Sequence, residues 1–357
     1  MSHVSLGLPR VGAPGEAVVD EDDPGRATGP LRDTFGRVAT DLRISLTDRC
    51  NLRCTYCMPA EGLDWLPADE LLTLAELTRL MRIAVMDLGI REIRFTGGEP
   101  LLRRDLPEII AAAAALEPRP ELALTTNGLG LARKAPALAA AGLNRVNVSL
   151  DSIDRAEYAE ITRRDRLQDV LDGMAAAHDA GLRPVKVNAV LKPNLNAADA
   201  PKLLQYCLDH GYELRIIEQM PLDAGHDWQR STMITAAQTR AVLGEKFALT
   251  KATEPRGAAP AQRWLVDGGP ATVGIIASVS EPFCGDCDRT RLTADGQLRN
   301  CLFAREESDL RALLRGGATD DQIARRWRAS MWAKRAGHGI DDPGFHQPDR
   351  PMSAIGG

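Results

Sequence analysis

From about residue 42 to residue 219 the chain alternates between short strand-like runs and longer helix-like segments, and this alternation permits few folds. Six runs are rich in β-branched and apolar residues, which predicts strands at 42–46, 92–95, 122–126, 145–150, 184–191 and 213–219. The segments between them have helical spacing or much alanine and leucine, which predicts helices at 73–88, 105–116, 132–141, 155–180 and 199–210. This order predicts an α/β fold in which helices cover a parallel sheet.

The ends of the predicted strands favour a barrel over an open sheet. Unusual polar residues follow the strands at Thr47, 96–99, 126–128, 149–151 and 218–220. A (β/α) barrel gathers such strand ends around one mouth, whereas an open dinucleotide-binding sheet uses a Gly-x-Gly-x-x-Gly turn after its first strand. The sequence has no such turn after a strand. We therefore expect a partial (β/α)6-type TIM barrel.

The alternation stops after about Pro221, which indicates a second region. Two further strands are predicted there, followed by a hairpin that turns at Asp295–Gly296 and by a helical segment at 306–336. The first 35 residues are rich in Gly, Pro, Asp and Glu, a composition typical of disorder. The expected organisation is a disordered tail at 1–35, the barrel at 36–222, a C-terminal region at 223–340 and a tail at 341–357.

Charge and hydrophobicity exclude some classes of partner. The formal net charge of -5 gives no general attraction to nucleic acid or to an anionic membrane. No apolar run approaches the roughly 20 residues that span a bilayer. The amino-terminal segment also lacks the apolar core of a signal peptide. We therefore expect a cytoplasmic location and no nucleic-acid or membrane partner.

Six of the seven cysteines fall into two tight groups, and only Cys207 stands apart. An odd number of cysteines, spaced two or three residues apart within the groups, argues against a secreted disulfide framework and for metal binding or catalysis. Cys207 lies in a predicted helix, where a buried and unreactive thiol is the ordinary role.

The first group is Cys50, Cys54 and Cys57, in a C-x3-C-x2-C pattern directly after the first predicted strand. Three thiolates on a four-iron cube leave one iron without a protein ligand, and a small chelating molecule can bind there. A structural zinc site would need a fourth ligand, and no other Cys or His lies nearby in the sequence. The pattern therefore favours an open [4Fe–4S] cluster.

The second group, Cys284, Cys287 and Cys301, again supplies three ligands. A zinc site remains open here, because C-x2-C turns are common in zinc ribbons. Arg289 and Arg291 follow the pair two residues apart, so in an extended segment they point to the same side. They are either a solvated strand face or the cationic surroundings of a second open cluster that faces an anionic ligand.

A glycine pair at the end of the second strand extends the pattern of the first group. In the segment RFTGGEP (94–100), Gly97 and Gly98 allow a ligand to approach the backbone closely, and Glu99 can receive an ammonium group. With Tyr56 just before the last cysteine of the first group, these motifs resemble the radical S-adenosylmethionine (SAM) superfamily. The resemblance implies a full or partial (β/α) barrel. It also implies that SAM chelates the open iron and is cleaved to a 5′-deoxyadenosyl radical.

Both cysteine groups together resemble the GTP 3′,8-cyclase family, which begins molybdenum-cofactor biosynthesis. The likeness runs from about residue 34 to residue 357 and includes LTTNG, VNVSLDS, KVNAV and the terminal Gly-Gly. It implies two [4Fe–4S] clusters and SAM contacts from Tyr56, Gly98, Glu99, Ser149 and Met220. Sequence alone would make Met220 a core residue.

The same resemblance implies a GTP site. Its expected contacts are Arg43, Arg94, Thr125 (or Thr126), Lys186, Arg289 and Arg291. Guanidinium groups bind phosphate well, and strand cations that point into a barrel are hard to explain without a buried anion. The terminal pair Gly356–Gly357, ordinarily a flexible chain end, is implied to reach into the active site and assist turnover.

The reaction implied is the conversion of GTP to (8S)-3′,8-cyclo-7,8-dihydroguanosine 5′-triphosphate. The 5′-deoxyadenosyl radical removes a hydrogen from C3′, and the C3′ radical then bonds to C8 of a guanine held by the second cluster. A further reduction and protonation give the product. A cyclic pyranopterin monophosphate synthase would use the product. A homodimer is implied by the family alone, and the electron donor is unknown. The alternatives are a radical SAM peptide-maturing enzyme with an auxiliary cluster and a zinc-stabilised binding module.

Overall fold

The computed structural model describes residues 28–356, which build one twelve-stranded sheet. Its strands are β1 (Asp41–Ser45), β2 (Glu92–Thr96), β3 (Glu121–Thr126), β4 (Arg145–Ser149), β5 (Val185–Val190), β6 (Glu213–Ile217), β7 (Leu249–Lys251), β8 (Gln262–Val266), β9 (Thr272–Ile276), β10 (Arg289–Leu292), β11 (Gln297–Arg299) and β12 (Ser308–Asp309). The order across the sheet is β12-β11-β10-β1-β2-β3-β4-β5-β6-β9-β8-β7. The six parallel strands β1 to β6 stand in chain order and the sheet does not close, which confirms the predicted partial barrel.

Helices follow most strands, as the alternation predicted. They are α1 (Leu74–Arg82), α2 (Leu106–Ala114), α3 (Leu131–Ala140), α4 (Arg155–Thr162), α5 (Leu167–Asp179), α6 (Ala200–Asp209), α7 (Ala236–Gly244), α8 (Leu310–Arg315), α9 (Asp320–Trp332) and α10 (Met352–Ile355). A π-helical turn, Ile83–Asp87, continues α1. No helix among residues 28–356 is both long and apolar enough to cross a membrane.

The single helix expected at 155–180 is two helices, α4 and α5, and the expectation was wrong there. The break falls at Arg163, whose backbone is left-handed with φ of 55°. Its guanidinium donates to the backbone carbonyls of Arg53 at 3.0 Å and of Met58 at 2.9 Å. The break therefore exists because α4 ends against the loop that carries the first cysteine group.

The second region continues the barrel sheet at both of its edges. On one side β10 pairs in parallel with β1, and on the other β9 pairs in parallel with β6. The hairpin of β10 and β11 turns at Gly296, whose φ of +80° is left-handed, as the Asp-Gly signal predicted. This topology carries the second cysteine group back to the barrel.

The strands have one apolar and one polar face. Leu42, Ile44, Ile93 and Phe95 pack into the main core with the helices. Parallel strands covered on both faces are ordinarily apolar throughout, yet the opposite face of this sheet carries polar residues that are mostly buried: Arg43, Ser45, Arg94, Thr96, Asn147 and Arg215. Such a face requires polar ligands or partners inside the barrel.

The segment before β1 is in part packed against the second region. Leu31 is fully buried, although the sequence assigned it to the tail. Arg37 pairs with Asp33 at 2.5 Å and donates to the carbonyl of Cys284 at 2.6 Å. Residues 1–27 lie outside the described residues, so disorder there stays a prediction.

Candidate active site

The polar face of the sheet borders a cavity of about 320 Å³, and both cysteine groups line it. Most of the residues predicted for SAM and GTP line the same cavity: Arg43, Tyr56, Arg94, Gly98, Thr125, Ser149, Met220, Arg289 and Arg291. Glu99 and Lys186 are not among its lining residues. The fold thus gathers residues that are up to about 250 positions apart in the sequence around one space.

The first cysteine loop is fixed by backbone hydrogen bonds to the end of α4. The amide of Thr55 donates to the carbonyl of Ile161 at 2.9 Å. Burial, with Cys50, Asp151 and Asp223 nearby, raises the pKa of Cys57 to about 12. Burial also raises the pKa values of Cys50 and Cys54. Burial thus opposes the thiolate form of these cysteines, and a bound metal would compensate its charge.

The glycine pair lets the end of β2 lie directly on the backbone before Cys50. The amide of Gly98 donates to the carbonyl of Thr47 at 2.7 Å, and the amide of Glu99 donates to that of Arg49 at 2.7 Å. A Cβ atom at Gly98 would lie 2.3 Å from the Asp48 carbonyl oxygen. Only glycine fits here, so the pair positions the cysteine loop as well as lining the cavity.

The carboxylate of Glu99 is fully buried and already has donors. It accepts from the hydroxyl of Thr126 at 2.7 Å and from the amides of Asn127 at 2.7 Å and Leu101 at 2.9 Å. Burial raises the pKa of Glu99 to about 7. In this arrangement Glu99 ties the end of β2 to the end of β3. Because Thr126 is bound to Glu99, Thr125 is the better candidate for a substrate contact.

Asp151 is a cavity residue whose role the sequence did not predict. The hydroxyl of Tyr56 donates to its Oδ2 at 2.8 Å, and the amide of Val190 donates to its Oδ1 at 2.8 Å. Burial raises the pKa of Asp151 to about 6. This contact joins the cysteine loop to β4 and β5 and fixes Tyr56. Asp151 stood at a predicted strand end, which was the one signal available for it.

The floor of the cavity is cationic. Arg43, Arg94 and Arg291 are buried there, and Asp41 lies 3.6 Å from Arg43 and 3.7 Å from Arg94. The Nε atoms of Arg43 and Arg94 are buried without a hydrogen-bond partner among the described residues. Burial and the neighbouring Arg94 lower the pKa of Arg43, and burial lowers that of Arg291 to about 10. Asp41 Oδ1 beside them also lacks a partner. It is therefore the excess of guanidinium groups over carboxylates in this floor that suits a bound anion.

Arg215 belongs to this floor, and sequence reasoning missed it. It lines the cavity and donates to the side-chain oxygens of Asn188 and Asn147, both at 2.9 Å. Burial, with Arg94 and Arg145 nearby, lowers its pKa to about 9. The alternation of side chains along β6 was the available signal. Arg215 falls on the side of the sheet that faces the cavity, where it pairs in register with Asn188.

Lys186 lies on the same face of β5 as Asn188 but is already paired. Its Nζ is 3.2 Å from Glu213 Oε2.

Met220 lines the cavity and also packs against two small apolar clusters. Its position is therefore compatible with a SAM contact and with a role in the core.

In the second cysteine group the surroundings differ from one thiol to the next: burial raises the pKa of Cys284, whereas nearby cations act on Cys287. Cys284 and Cys287 bracket a short 3-10 turn, and the amide of Cys287 donates to the carbonyl of Cys284 at 3.2 Å. Burial alone would raise the pKa of Cys287, but Arg289 and Lys334 outweigh it and lower that pKa to about 6. An anionic sulfur is therefore favoured at Cys287.

Gly356, the residue before the C-terminal Gly357, lies beside the arginines of the site. Helix α10 is anchored by the amide of Met352, which donates to the carbonyl of Leu222 at 2.8 Å. The carbonyl of Gly356 accepts from Arg291 Nη1 at 2.6 Å. Its φ is +86°, and a Cβ atom there would lie 2.7 Å from Thr96 Cγ2. Gly357 lies outside the described residues.

The thiols are free for cluster binding, since every described cysteine is unpaired. Among residues 28–356, no three Cys, His, Asp or Glu side chains converge closely enough for one metal ion. In a four-iron cube each of three thiolates would bind a separate iron.

Two family models match consecutive parts of the chain. The Radical SAM superfamily model matches residues 44–207, and the model described as Molybdenum Cofactor Synthesis C matches residues 212–340. With the open barrel and its cysteine loop, these matches define a radical SAM enzyme.

Full-length relatives define the family more closely. The chain is 67% identical to the GTP 3',8-cyclase of Mycobacterium sp. (strain KMS), 65% identical to that of Mycolicibacterium smegmatis and 62% identical to GTP 3',8-cyclase 2 of Mycobacterium tuberculosis. Each comparison covers 100% of both chains. The chain belongs to the GTP 3′,8-cyclase family.

Solved structures share the fold at low identity. SuiB of Streptococcus suis is 15% identical, with a TM-score of 0.55 over 84% of this chain and 67% of that chain. The SuiB structure bound to S-adenosylmethionine is 14% identical, with a TM-score of 0.51 over 76% of this chain and 63% of that chain.

Proposed function

We propose that this protein converts GTP to (8S)-3′,8-cyclo-7,8-dihydroguanosine 5′-triphosphate, the first step of molybdenum-cofactor biosynthesis. One observation carries the proposal: two three-cysteine groups line a single cavity whose floor is cationic. When bound, a cluster at the first group with SAM supplies the radical, and a cluster at the second group supplies an open iron for the substrate. The chain's own residues bind, orient and enclose the reactants.

SAM is assigned to the side of the cavity near the first cysteine group. Tyr56, Gly98, Ser149 and Met220 line the cavity and come from four different strand ends or loops. The Tyr56–Asp151 hydrogen bond at 2.8 Å holds the tyrosine and with it the backbone before Cys57. Glu99 contributes indirectly, because its three hydrogen bonds fix the loop next to Gly98.

GTP is assigned to the cationic floor and the second cysteine group. Arg43, Arg94 and Arg215 offer buried guanidinium groups for the triphosphate, and Thr125 lies on the same face. Of these, Arg94 also pairs through Nη2 with Glu92 Oε1 at 2.6 Å. Lys186 would join them by giving up its 3.2 Å ion pair with Glu213. The guanine would lie against the second group near Arg289 and Arg291, with Gly356 held by Arg291. Placing C3′ near the radical source is the main catalytic task of these residues.

The test is an anaerobic assay of protein with reconstituted clusters, SAM, a reductant and GTP. We expect 5′-deoxyadenosine and the cyclised nucleotide, together with about eight irons per chain. Cys50→Ala abolishes both products. Cys207→Ala is the matched control, because this thiol is buried in α6 and belongs to neither group. Cyclised nucleotide made by Cys50→Ala would overturn the proposal.

The metal content separates the alternatives. Zinc in a colourless protein would favour a zinc-stabilised binding module. Radical cleavage of SAM without GTP conversion would favour a peptide-maturing enzyme. No contact among the described residues favours either. We further propose that a cyclic pyranopterin monophosphate synthase consumes the product. A homodimer is also part of the proposal, to be tested by the mass of the protein in solution.

A further inference from the structure

Lys334, which follows helix α9, is a buried lysine behind the second cysteine group. Its side chain is 3% exposed. Its Nζ lies 3.3 Å from Cys287 Sγ and donates to the carbonyl of Arg289 at 2.9 Å. Lys334 is not among the residues that line the cavity. It therefore approaches the sulfur from the protein side and leaves the substrate side open.

The partners of this lysine are unusual for a buried ammonium group. Among residues 28–356 its Nζ makes no ion pair with a carboxylate and is bound by one carbonyl and one sulfur. Burying a cation is unfavourable unless an anion compensates it. The nearest candidate anion is the thiolate of Cys287, or that sulfur as a cluster ligand. Lys334 and a negatively charged sulfur at Cys287 would therefore stabilise each other.

The two cysteine groups differ in the sign of the charges around them. Carboxylates surround the first group, where Asp151 and Asp223 act on Cys57. Cations surround the second group, where Arg289 and Lys334 act on Cys287. One-electron reduction of an iron–sulfur cluster adds one negative charge, so neighbouring cations favour the reduced form and neighbouring anions oppose it.

We propose that Lys334 is a positioning residue that raises the reduction potential of the cluster held by Cys284, Cys287 and Cys301, so that this cluster accepts an electron more readily than the first. The inference rests on the proposed second cluster. The redox step is the transfer of one electron from an added chemical reductant to the cluster, without making or breaking a covalent bond. The Nζ–Sγ contact stabilises the added charge through hydrogen bonding and through its own positive charge.

The experiment uses the full chain with Cys50, Cys54 and Cys57 replaced by alanine, so that only the second site can hold a cluster. Its midpoint potential is measured by an anaerobic redox titration followed by electron paramagnetic resonance. Lys334→Met removes the charge and the donor, whereas Lys334→Gln removes the charge and keeps an N–H donor. Lys202→Met is the control for net charge, because Lys202 is exposed and pairs with Asp199 at 2.8 Å.

Lys334→Met is expected to lower the potential enough to change the reduced-to-oxidised ratio at least about tenfold, or about 59 mV for one electron. Lys334→Gln is expected to lie in between, and Lys202→Met to match the parent. The same titration on protein lacking the second cysteine group should give a lower potential for the first cluster.

An unchanged potential in Lys334→Met with full iron content would overturn the inference. Loss of the cluster in both Lys334 variants would also overturn it, since Lys334 would then hold the cluster rather than tune it. If the parent binds no iron at the second site, the proposed function fails instead, which iron analysis shows before any titration.

Discussion

Replacing Gly98 by alanine should disable the first cysteine group with little effect on the rest of the protein. The new Cβ atom would lie 2.3 Å from the carbonyl oxygen of Asp48 and 2.4 Å from that of Arg49, both of them backbone atoms. Ordinary carbon contacts need about 3.5 Å, so one backbone segment must move by about 1 Å. Such overpacking costs about 1–3 kcal/mol. Each backbone hydrogen bond lost, from Gly98 to Thr47 or from Glu99 to Arg49, costs about 1 kcal/mol more.

The displaced segment leads directly into Cys50. We therefore expect a larger loss of catalytic rate than of folding stability. A misplacement of about 1 Å can reduce a rate on the order of 100-fold. The assay is SAM cleavage to 5′-deoxyadenosine under reducing, anaerobic conditions, with iron counted per chain. Gly244→Ala is the control, because a Cβ atom there meets nothing within 4 Å and φ is not left-handed. SAM cleavage by Gly98→Ala within about threefold of the wild type would show that the first cysteine group tolerates the added methyl group.

Three further predictions concern other parts of the cavity. Arg215→Met should weaken GTP binding at least about tenfold, since a buried guanidinium is removed from the phosphate floor, and calorimetry would measure it. Gly356→Ala should lower product formation without loss of iron, because φ is +86° and Thr96 leaves no room. Asp151 has a pKa of about 6 when folded and 3.8 ordinarily, so its contribution to stability is present below pH 3.8 and lost as pH rises through 6. Asp151→Asn should remove up to about 3 kcal/mol of that pH dependence, read from thermal unfolding of the metal-free protein between pH 4 and 7.

Local patterns were sufficient for the barrel strands and for the cysteine groups. Period-two and helical patterns are local, so all six predicted barrel strands occur with ends shifted by no more than two residues. The break at Arg163 could not be predicted, because its cause is a contact with carbonyls more than 100 residues away. The pairing of β9 and β10 with opposite edges of the sheet is likewise non-local.

The functional site likewise combines local features that the sequence predicts with non-local contacts that it does not. Cysteine spacing and the glycine pair are sequence signals, and the structure brings them to one cavity. Arg215 and Asp151 were missed because the role of a charged residue in or after a strand depends on which side of the sheet its side chain faces. Glu99 was expected to contact SAM, which stays a prediction, and its three donors from the protein could not be predicted because they come from the tertiary contact with the end of β3 and from the local turn. Lys334 lay within a predicted helix, without any local signal of the sulfur beside it.

In the proposed reaction, the radical formed at the first cysteine group acts on a nucleotide held by the second. The most direct measurement uses GTP carrying deuterium at C3′, with the reconstituted enzyme, SAM and a reductant. We expect deuterium to appear in the 5′-deoxyadenosine as the cyclised product forms. Cyclised nucleotide formed together with unlabelled 5′-deoxyadenosine, with the C3′ deuterium released to the solvent, would contradict this mechanism.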